Sequence, residues 1–286
     1  MLSRRSFLAG SAAVAAAATL PRFATAADAD PFGGFTVGIQ SYTFRKFDLE
    51  RALKAMKDLG VRHAEFFRNH IPVETTGDKM KAMKKLLAEY GVSPVSFGVE
   101  SFSKGKEDEA KKRFAFAAEL GAKYLSADPD PDSLDMLDKL VAEYKIGIAI
   151  HPHGPVGGGK MHRWRSAEPI MMALKDHHEL IGTCLDTGHL IRSAQLDVKL
   201  DPPAEVKTMG ARNFGLHLKD HDNKRKTDVV FGDKTGVLDV LAVLKALQEV
   251  KFKGYIAIEY EANENDPTAD VKACLTYLKE QIKKLG

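Results

Sequence analysis

The amino-acid sequence predicts an α/β protein, a single-domain (β/α)8 TIM barrel. From residue 35 onward, short β-rich runs alternate eight times with segments of helical period. No linker rich in Pro, Gly or Ser interrupts this alternation. Eight strand-helix units in the roughly 250 residues of the mature chain match the size of such a barrel. A doubly wound open sheet is the alternative, and the lack of a G-x-G-x-x-G motif after the first strand disfavours it.

The predicted strands follow the apolar runs, and the predicted helices follow the amphipathic stretches between them. Strands are expected near residues 35–41, 61–67, 93–99, 122–127, 146–151, 181–186, 212–218 and 254–260. Helices are expected near residues 48–59, 76–90, 106–120, 132–144, 166–179, 202–210, 236–250 and 268–284. Gly60, Gly91 and Gly121 each stand just past a helix, where a left-handed cap is needed.

Alternation within the strands indicates which side chains point into the barrel. In the run YIAIE the bulky apolar residues share one face, while Ala257 and Glu259 share the other. The run FGLHL alternates in the same way and sets His217 on the face of the small residues. A face of small residues fits a crowded barrel interior. By the same alternation, His151 and Asp186 are expected to point inward.

The first residues of the chain are typical of a twin-arginine export signal. Arg4 and Arg5 precede an alanine-rich run, and the sequence ATA ending at Ala26 suits signal peptidase. The apolar run is shorter than the roughly 20 residues that span a bilayer, which argues against a stable membrane anchor. We expect a signal peptide over residues 1–26, a barrel domain over residues 27–286, and a periplasmic protein delivered by the twin-arginine export machinery.

Charge and cysteine content argue against a nucleic-acid-binding protein and against a disulfide-stabilised protein. Cleavage after Ala26 removes three arginines and no acid, which leaves 39 basic and 39 acidic residues. A neutral chain without a basic stripe lacks the electrostatic footprint of nucleic-acid binding. Cys184 and Cys274 are the only cysteines, one in a predicted strand and one in the last predicted helix. They are expected to be small core residues, not a disulfide framework.

Polar side chains stand at the carboxyl end of every predicted strand, where barrel active sites are built. Inward-facing histidines and carboxylates on consecutive strands are costly to bury unless something pairs with them. Imidazole and carboxylate together suit Mn, Zn, Co or Fe. We therefore expect one divalent metal ion, with four ligands from the fifth to eighth strands: His151, Asp186, His217 and Glu259.

Residues beside these ligands are candidates for substrate contact. His153 extends beyond the rim of the barrel, and His189 follows the sixth strand. The segment GPVGGGKM is expected to form a mobile glycine-rich loop over the site. In that arrangement Arg163 and Trp164 would close on a sugar; an inert surface loop is the alternative.

Two further residues are candidates for catalysis beside Glu259. Lys219 shares the inward parity of the seventh strand and is expected to neutralise an enolate or a phosphate, unless it forms a rim salt bridge with Asp220. Glu65 points inward from the second strand in the run HAEFF. A buried ion pair with Arg62 or Arg68 is the alternative for Glu65.

Four segments, in this order and spacing, resemble the xylose isomerase-like barrel family: IAIHPHG, TCLDTGH, FGLHLKD and IAIEYE. The family includes sugar phosphate isomerases and epimerases, inosose dehydratase-type enzymes and apurinic endonucleases. The resemblance implies one divalent metal bound through Glu, Asp, His and Glu on strands five to eight, and two glutamates that exchange protons beside a carbonyl. The pattern carries over to Asp186, His217 and Glu259. It departs at the first ligand, where this sequence has His151.

The departure at His151 bears on the expected function. A ligating imidazole is a poor general base, so Glu65 is expected to replace the lost carboxylate as a ligand or a base. The leading expectation is an exported metal-dependent isomerase or epimerase acting on a small sugar or glycoside. Alternatives are a metal-dependent lyase or hydratase acting on 3-keto-glycosides or related oxidised sugars, and a catalytically silent sugar-binding barrel. An apurinic endonuclease is disfavoured by the neutral surface and by export, and homo-oligomer formation stays open.

Overall fold

The computed structural model describes residues 30–286, so the predicted signal peptide lies outside the described chain. Eight parallel strands, one at each predicted position, close into a single barrel. They are β1 (Thr36–Gln40), β2 (His63–Phe66), β3 (Ser93–Phe102), β4 (Tyr124–Pro129), β5 (Gly147–Ile150), β6 (Ile181–Asp186), β7 (Asn213–Leu218) and β8 (Tyr255–Ile258). Strand β1 pairs with both β2 and β8, which closes the sheet. The predicted TIM barrel is confirmed.

Helices connect the strands on the outside of the barrel. In chain order they are α1 (Leu49–Asp58), α2 (Gly77–Tyr90), α3 (Glu107–Leu120), α4 (Leu134–Tyr144), α5 (Ala167–Ala173), α6 (Thr187–Arg192), α7 (Pro202–Met209), α8 (Val240–Glu249) and α9 (Thr268–Lys283). Gly91 and Gly121 cap α2 and α3 in the left-handed conformation, as predicted. Within residues 30–286, no helix combines the length and the apolar character that crossing a membrane requires.

Two short hairpins lie at the carboxyl end of the barrel. The glycine-rich segment after β5 forms the hairpin Pro155–Val156 with Lys160–Met161. A second hairpin, Asp220–Asp222 with Thr227–Val229, follows β7. Both lie at the end where the candidate ligands were expected.

Helix α5 ends at Ala173, earlier than the sequence predicts. After α5 the chain turns toward α4, where the carboxylate of Asp138 accepts the backbone N–H of His178 at 2.8 Å. The same carboxylate lies 2.8 Å from Nδ1 of His177. A backbone N–H bound to a side chain is not available to continue a helix, so the segment after α5 leaves the helical path.

Helix α6 is not predicted by the sequence, and it begins directly after β6. Its cap is the carboxylate of Asp186, whose Oδ1 accepts the backbone N–H of His189 at 2.8 Å. Such a cap contributes about 1 kcal/mol to helix stability. It also fixes one oxygen of Asp186 and leaves the other directed at the site.

Alternating strand residues line the barrel interior, as predicted. The buried inner cluster consists of Ala149, Cys184, Tyr255 and Ala257. Tyr124 packs on Tyr255 with ring centroids 5.8 Å apart. Both tyrosines are the first residues of their strands, so they fill the amino-terminal end of the barrel. The inward-facing polar side chains of the candidate site therefore lie at the carboxyl-terminal end.

The two cysteines are buried free thiols. Cys184 belongs to the inner cluster, and Cys274 packs in the outer core between strands and helices. Their surroundings agree with the expected role of small core residues.

Gly182 in β6 is a position where added volume is expected to be costly. A Cβ atom at Gly182 would lie 2.1 Å from the carbonyl oxygen of Arg212 and 2.7 Å from the ring of Phe214. Because a backbone carbonyl cannot yield without disturbing β7, we expect Gly182→Ala to lower the free energy of unfolding by about 3 kcal/mol. Chemical denaturation measures this loss. Gly157→Ala is the control, since a Cβ there meets no atom within 4 Å; equal losses would contradict the prediction.

Candidate active site

Four polar side chains converge at the carboxyl end of strands β5 to β8. All are buried, and one nitrogen or oxygen atom from each lies within 4.8 Å of the others: His151, Asp186, His217 and Glu259. The Nε2 atom of His151 is 3.0 Å from Nδ1 of His217 and 3.5 Å from Oδ2 of Asp186. Oε2 of Glu259 is 3.2 Å from the same nitrogen of His217. The structure therefore brings the four predicted ligands together.

The chemistry of this cluster fits a divalent metal ion. Oδ2 of Asp186 is buried and accepts no hydrogen bond in the described chain, although Nζ of Lys219 lies 3.3 Å from it. A buried carboxylate oxygen that accepts no hydrogen bond is costly. Two imidazole nitrogens and two carboxylate oxygens form a donor set that Mn, Zn, Co and Fe accept. The point where the four atoms meet is therefore the candidate metal centre.

Glu65 lies behind His217 and outside the cluster. Its Oε1 is 3.1 Å from Nε2 of His217, while Nδ1 of the same ring faces the other ligands. Gln40 donates to Oε1 of Glu65 at 2.5 Å, and the hydroxyl of Tyr255 donates to Oε2. A carboxylate on the second nitrogen of a ligating histidine fixes the ring and raises its basicity. Glu65 is fully buried and does not line the cavity above the cluster.

The buried ammonium of Lys219 contacts three carboxylates. Its Nζ is 2.5 Å from Oε1 of Glu261, 2.8 Å from Oε2 of Glu259 and 3.3 Å from Oδ2 of Asp186. Burial lowers the pKa of Lys219, but the three carboxylates together raise it by a larger amount. The pKa of Lys219 therefore stands well above its ordinary value. Asp220, the alternative partner considered from the sequence, instead accepts two backbone N–H groups of the loop before α8.

The carboxyls of Glu259 and Asp186 are ionised. Burial raises the pKa of Glu259, but Lys219 and His217 together lower it by a larger amount. The pKa of Glu259 therefore lies well below its ordinary value. Burial likewise raises the pKa of Asp186, and the charge of Lys219 leads the effects that lower it. The carboxylates of Asp186, Glu259 and Glu261 outnumber the Lys219 ammonium that they contact. A metal ion bound by His217 would take the place of the proton whose charge lowers the pKa of Glu259.

A cavity of about 430 Å³ opens above the cluster. His151 and Glu259 line it, while Asp186 and His217 lie beneath these two residues and are fully buried. Its wall combines aromatic rings with charged and polar side chains: Tyr42, Phe67, Arg68, His153, His189, Arg192 and Glu261. The volume falls within the roughly 300–1,000 Å³ of small-molecule sites.

Both histidines predicted to contact substrate line this cavity. His189 accepts the backbone N–H of Gly154 through Nδ1 at 3.1 Å, so its proton resides on Nε2. Burial lowers the pKa of His189 well below its ordinary value, which keeps the ring neutral. Burial, aided by the charge of His151, also lowers the pKa of His153 to about 3. The site therefore presents two neutral imidazoles to a ligand.

Arg163 and Trp164 do not line the cavity, which differs from the sequence-based expectation. Trp164 is only 3% exposed, and its indole N–H donates to the carbonyl oxygen of Pro129 at 2.8 Å. Arg163 donates to Asp128 at 2.7 Å. A buried indole N–H and a guanidinium both need acceptors, and the end of β4 supplies them.

Three charged residues of the cavity had no functional role in the sequence-based prediction. Glu261 continues the parity of Glu259 in the run EYE, and that alternation is a signal that could have identified it. Arg68 is held toward the cavity by Glu100, with bonds of 2.6 and 3.2 Å. Arg192 ends α6, a helix that the sequence does not predict, so no comparable signal exists for it.

Known protein families match two segments of the chain. Residues 53–281 match the family described as xylose isomerase-like TIM barrel. Residues 1–21 match the twin-arginine translocation signal sequence, which indicates export by that route and a periplasmic location in bacteria. No protein of curated function matches the chain in sequence.

Solved structures share the barrel at low sequence identity. A protein from Parabacteroides distasonis is 28% identical, with a TM-score of 0.66 over 88% of this chain and 99% of its own. L-ribulose 3-epimerase is 16% identical, with a TM-score of 0.67 over 87% of this chain and 95% of its own. The 3-keto-D-glucoside 4-epimerase from E. coli is 15% identical, with a TM-score of 0.67 over 86% of this chain and 99% of its own. Because the family match extends over most of the barrel, this chain belongs to the xylose isomerase-like TIM barrel family.

Proposed function

We propose that this protein is an exported, divalent-metal-dependent sugar isomerase or epimerase. The observation that carries the proposal is the convergence of His151, Asp186, His217 and Glu259 beneath a cavity of about 430 Å³. Two structural neighbours, L-ribulose 3-epimerase and 3-keto-D-glucoside 4-epimerase, are sugar epimerases by name. The proposed reaction is proton transfer at a carbon beside a carbonyl group.

Glu259 is the proposed general base. A metal ion held by the four residues would supply Lewis-acid polarisation of the substrate carbonyl. Glu259 lines the cavity as a carboxylate and so takes the proton from the adjacent carbon. Lys219, 2.8 Å from Oε2, keeps this carboxylate ionised and oriented. Because Lys219 is buried and does not line the cavity, it acts as a positioning residue.

Glu261 supplies the second carboxylate of the site. It lines the cavity two residues beyond Glu259 and shares the ammonium of Lys219, at 2.5 Å. The ligating position 151 holds an imidazole, so a second proton carrier has to come from elsewhere. Glu261 reaches the substrate, whereas Glu65 is occupied behind His217. We therefore assign to Glu261 the proton-carrying role first considered for Glu65.

The neutral imidazoles bind the sugar. Nε2–H of His189 is a hydrogen-bond donor fixed by the Gly154 amide, and it suits a hydroxyl or carbonyl oxygen. His153 adds a second neutral ring, and Arg68, braced by Glu100, adds a fixed guanidinium. These groups hold the reacting carbon over Glu259, which is how binding lowers the barrier to proton transfer.

A metal-dependent lyase acting on 3-keto-glycosides or related oxidised sugars is the second candidate. The observation that favours it is His151, because an imidazole at this position leaves Glu259 as the one carboxylate that both binds the metal and lines the cavity. Elimination requires one base and an electrophile, so the site also meets its needs.

Solvent deuterium exchange tests the two reactions. The purified protein is loaded in turn with Mn, Zn, Co and Fe and incubated in heavy water with free ketoses and 3-keto-glycosides. Deuterium incorporation with an intact carbon skeleton supports the isomerase or epimerase, and release of the aglycone supports the lyase. Removal of the metal with a chelator is expected to abolish either reaction. Sugar binding with neither exchange nor release in every metal form would overturn the proposal in favour of a silent sugar-binding barrel.

Export is expected to require both arginines of the signal. The twin-arginine machinery reads the arginine pair, so Arg4→Lys combined with Arg5→Lys should leave the precursor in the cytoplasm. Cell fractionation followed by immunoblotting measures the distribution. Arg22→Lys is the control, because it changes an arginine of the same segment outside the pair. Periplasmic protein at the wild-type amount in the double variant would contradict this route.

A further inference from the structure

A second cavity adjoins the first. It has a volume of about 340 Å³ and lies between the end of α6, the hairpin after β7 and the residues after β8. Arg192 and Glu261 line both cavities, so the two meet along these side chains. Each volume alone lies within the roughly 300–1,000 Å³ of small-molecule sites. The two cavities together therefore exceed what a single sugar ring requires.

Arg192 stands at this junction without a protein partner. The residue is partly buried, yet its guanidinium forms no hydrogen bond or ion pair with any residue in the range 30–286. Other arginines near the site are engaged, since Arg68 pairs with Glu100 and Arg45 with Glu264. Five N–H donors held in a cleft between two cavities favour a ligand with oxygen atoms on both sides.

The wall of the second cavity is a fixed polar network. Oδ1 of Asp228 lies 2.9 Å from Nδ1 of His221, and both residues are buried. Nε2 of Gln195 lies 3.4 Å from the other ring nitrogen of His221. Lys226 borders the same cavity and is exposed. Such preset donors and acceptors suit the hydroxyl groups of a sugar better than an apolar group.

The same network reaches the proposed proton carrier. Oδ2 of Asp228 accepts the backbone N–H of Glu261 at 2.9 Å, while the Glu261 side chain contacts Lys219. A ligand in the second cavity would therefore touch groups that position the carboxylate of Glu261. Binding energy gained away from the reacting carbon would then help to order the catalytic side chain.

We infer that the substrate is a two-unit glycoside, such as an oxidised disaccharide, and not a free monosaccharide. This inference rests on the proposed function, and it names the substrate class. The reacting sugar occupies the first cavity above Glu259, and the second unit occupies the adjoining cavity against His221 and Gln195. Arg192 donates hydrogen bonds to oxygen atoms on either side of the glycosidic link.

The test compares matched ligands on a variant with a filled second cavity. Ala262 lines the second cavity and not the first, so Ala262→Phe is expected to occupy the space of the second unit. Calorimetry with metal-loaded protein measures affinity for 3-keto-glucose and for the 3-keto derivatives of trehalose, maltose and cellobiose. For the wild type, at least one disaccharide should bind about tenfold or more tightly than the monosaccharide. Ala262→Phe should reduce that ratio to near one.

Controls separate a specific effect from general damage. Ala194→Phe adds the same ring at an exposed position that lines neither cavity, and it should keep the wild-type ratio. Circular dichroism checks the fold of each variant. If Ala262→Phe does not fold, Lys226→Glu at the exposed turn of the hairpin is measured instead, and it should also lower the ratio. Equal binding of mono- and disaccharides by the wild type, or a ratio unaffected by the cavity variant, overturns the inference.

Deuterium exchange on the same samples distinguishes this inference from the proposed function. Preferential disaccharide binding without exchange or aglycone release in any metal form supports the extended site and contradicts the enzyme. Exchange into free ketoses together with equal binding of both ligand sizes supports the enzyme and overturns the extended site.

Discussion

Glu259→Gln is expected to lower the rate of deuterium exchange, or of aglycone release, by a factor of about 10²–10⁴, the usual contribution of a general base. The amide keeps the shape of the side chain and one oxygen atom, but it cannot accept a proton at neutral pH. In the native protein, Lys219 and His217 hold Glu259 as a carboxylate despite its burial. The initial rate with metal-loaded protein and a saturating sugar measures the effect.

Binding measurements distinguish the loss of a general base from the loss of sugar binding. Sugar affinity of Glu259→Gln, measured by calorimetry, should fall far less than the rate, and metal content should be determined on the same sample. Glu264→Gln is the matched control, because Glu264 lies on the segment after β8, is about half exposed and, among residues 30–286, pairs only with Arg45 and Lys46. A rate for Glu259→Gln equal to that of the control would exclude Glu259 as the base. Loss of sugar binding to the same extent as the rate would assign Glu259 to binding alone.

The barrel is predictable from the sequence because its determinants are local. Strand and helix periods alternate within short windows, and strand parity follows from neighbouring residues. The convergence of the four candidate ligands is predictable for a related reason: parallel strands in register bring equivalent strand ends to one level. Asp186 pairs directly with His217 across β6 and β7, and His217 pairs with Ala257, two residues before Glu259.

Contacts that depend on the path of a loop or on a distant partner are not predictable in this way. Parity indicates that Glu65 points inward, but not that its partner is His217, a residue 152 positions away. Trp164 follows a glycine-rich hairpin, and the acceptor on β4 that draws it from the cavity lies 35 residues earlier. Arg192 enters the site because Asp186 caps a short helix, and a six-residue helix has too weak a period to be recognised.

His151→Ala is expected to remove the bound metal or to weaken its binding by more than the roughly 10–100-fold that changes behind the ligands cost. Nε2 of His151 faces the cluster, 3.0 Å from His217 and 3.5 Å from Asp186, so the variant loses one of four donors. The fold should persist, because the cavity above His151 lets water fill the space. Elemental analysis and competitive chelation measure metal content and affinity. His153→Ala is the matched control: it lines the same cavity but lies outside the four-residue cluster, and it should retain its metal.

His151→Glu extends the test, because it restores the family's usual ligand and adds a carboxylate beside Glu259. The variant should retain a full equivalent of metal, and exchange into free ketoses should persist or rise, since a second ligating carboxylate is able to accept a proton. If aglycone release is the native reaction, the same substitution should shift the product ratio from release toward exchange. Retention of a full metal equivalent by His151→Ala would contradict the four-ligand centre. It would move the candidate set toward Asp186, His217 and Glu259, with Glu65 as the fourth ligand.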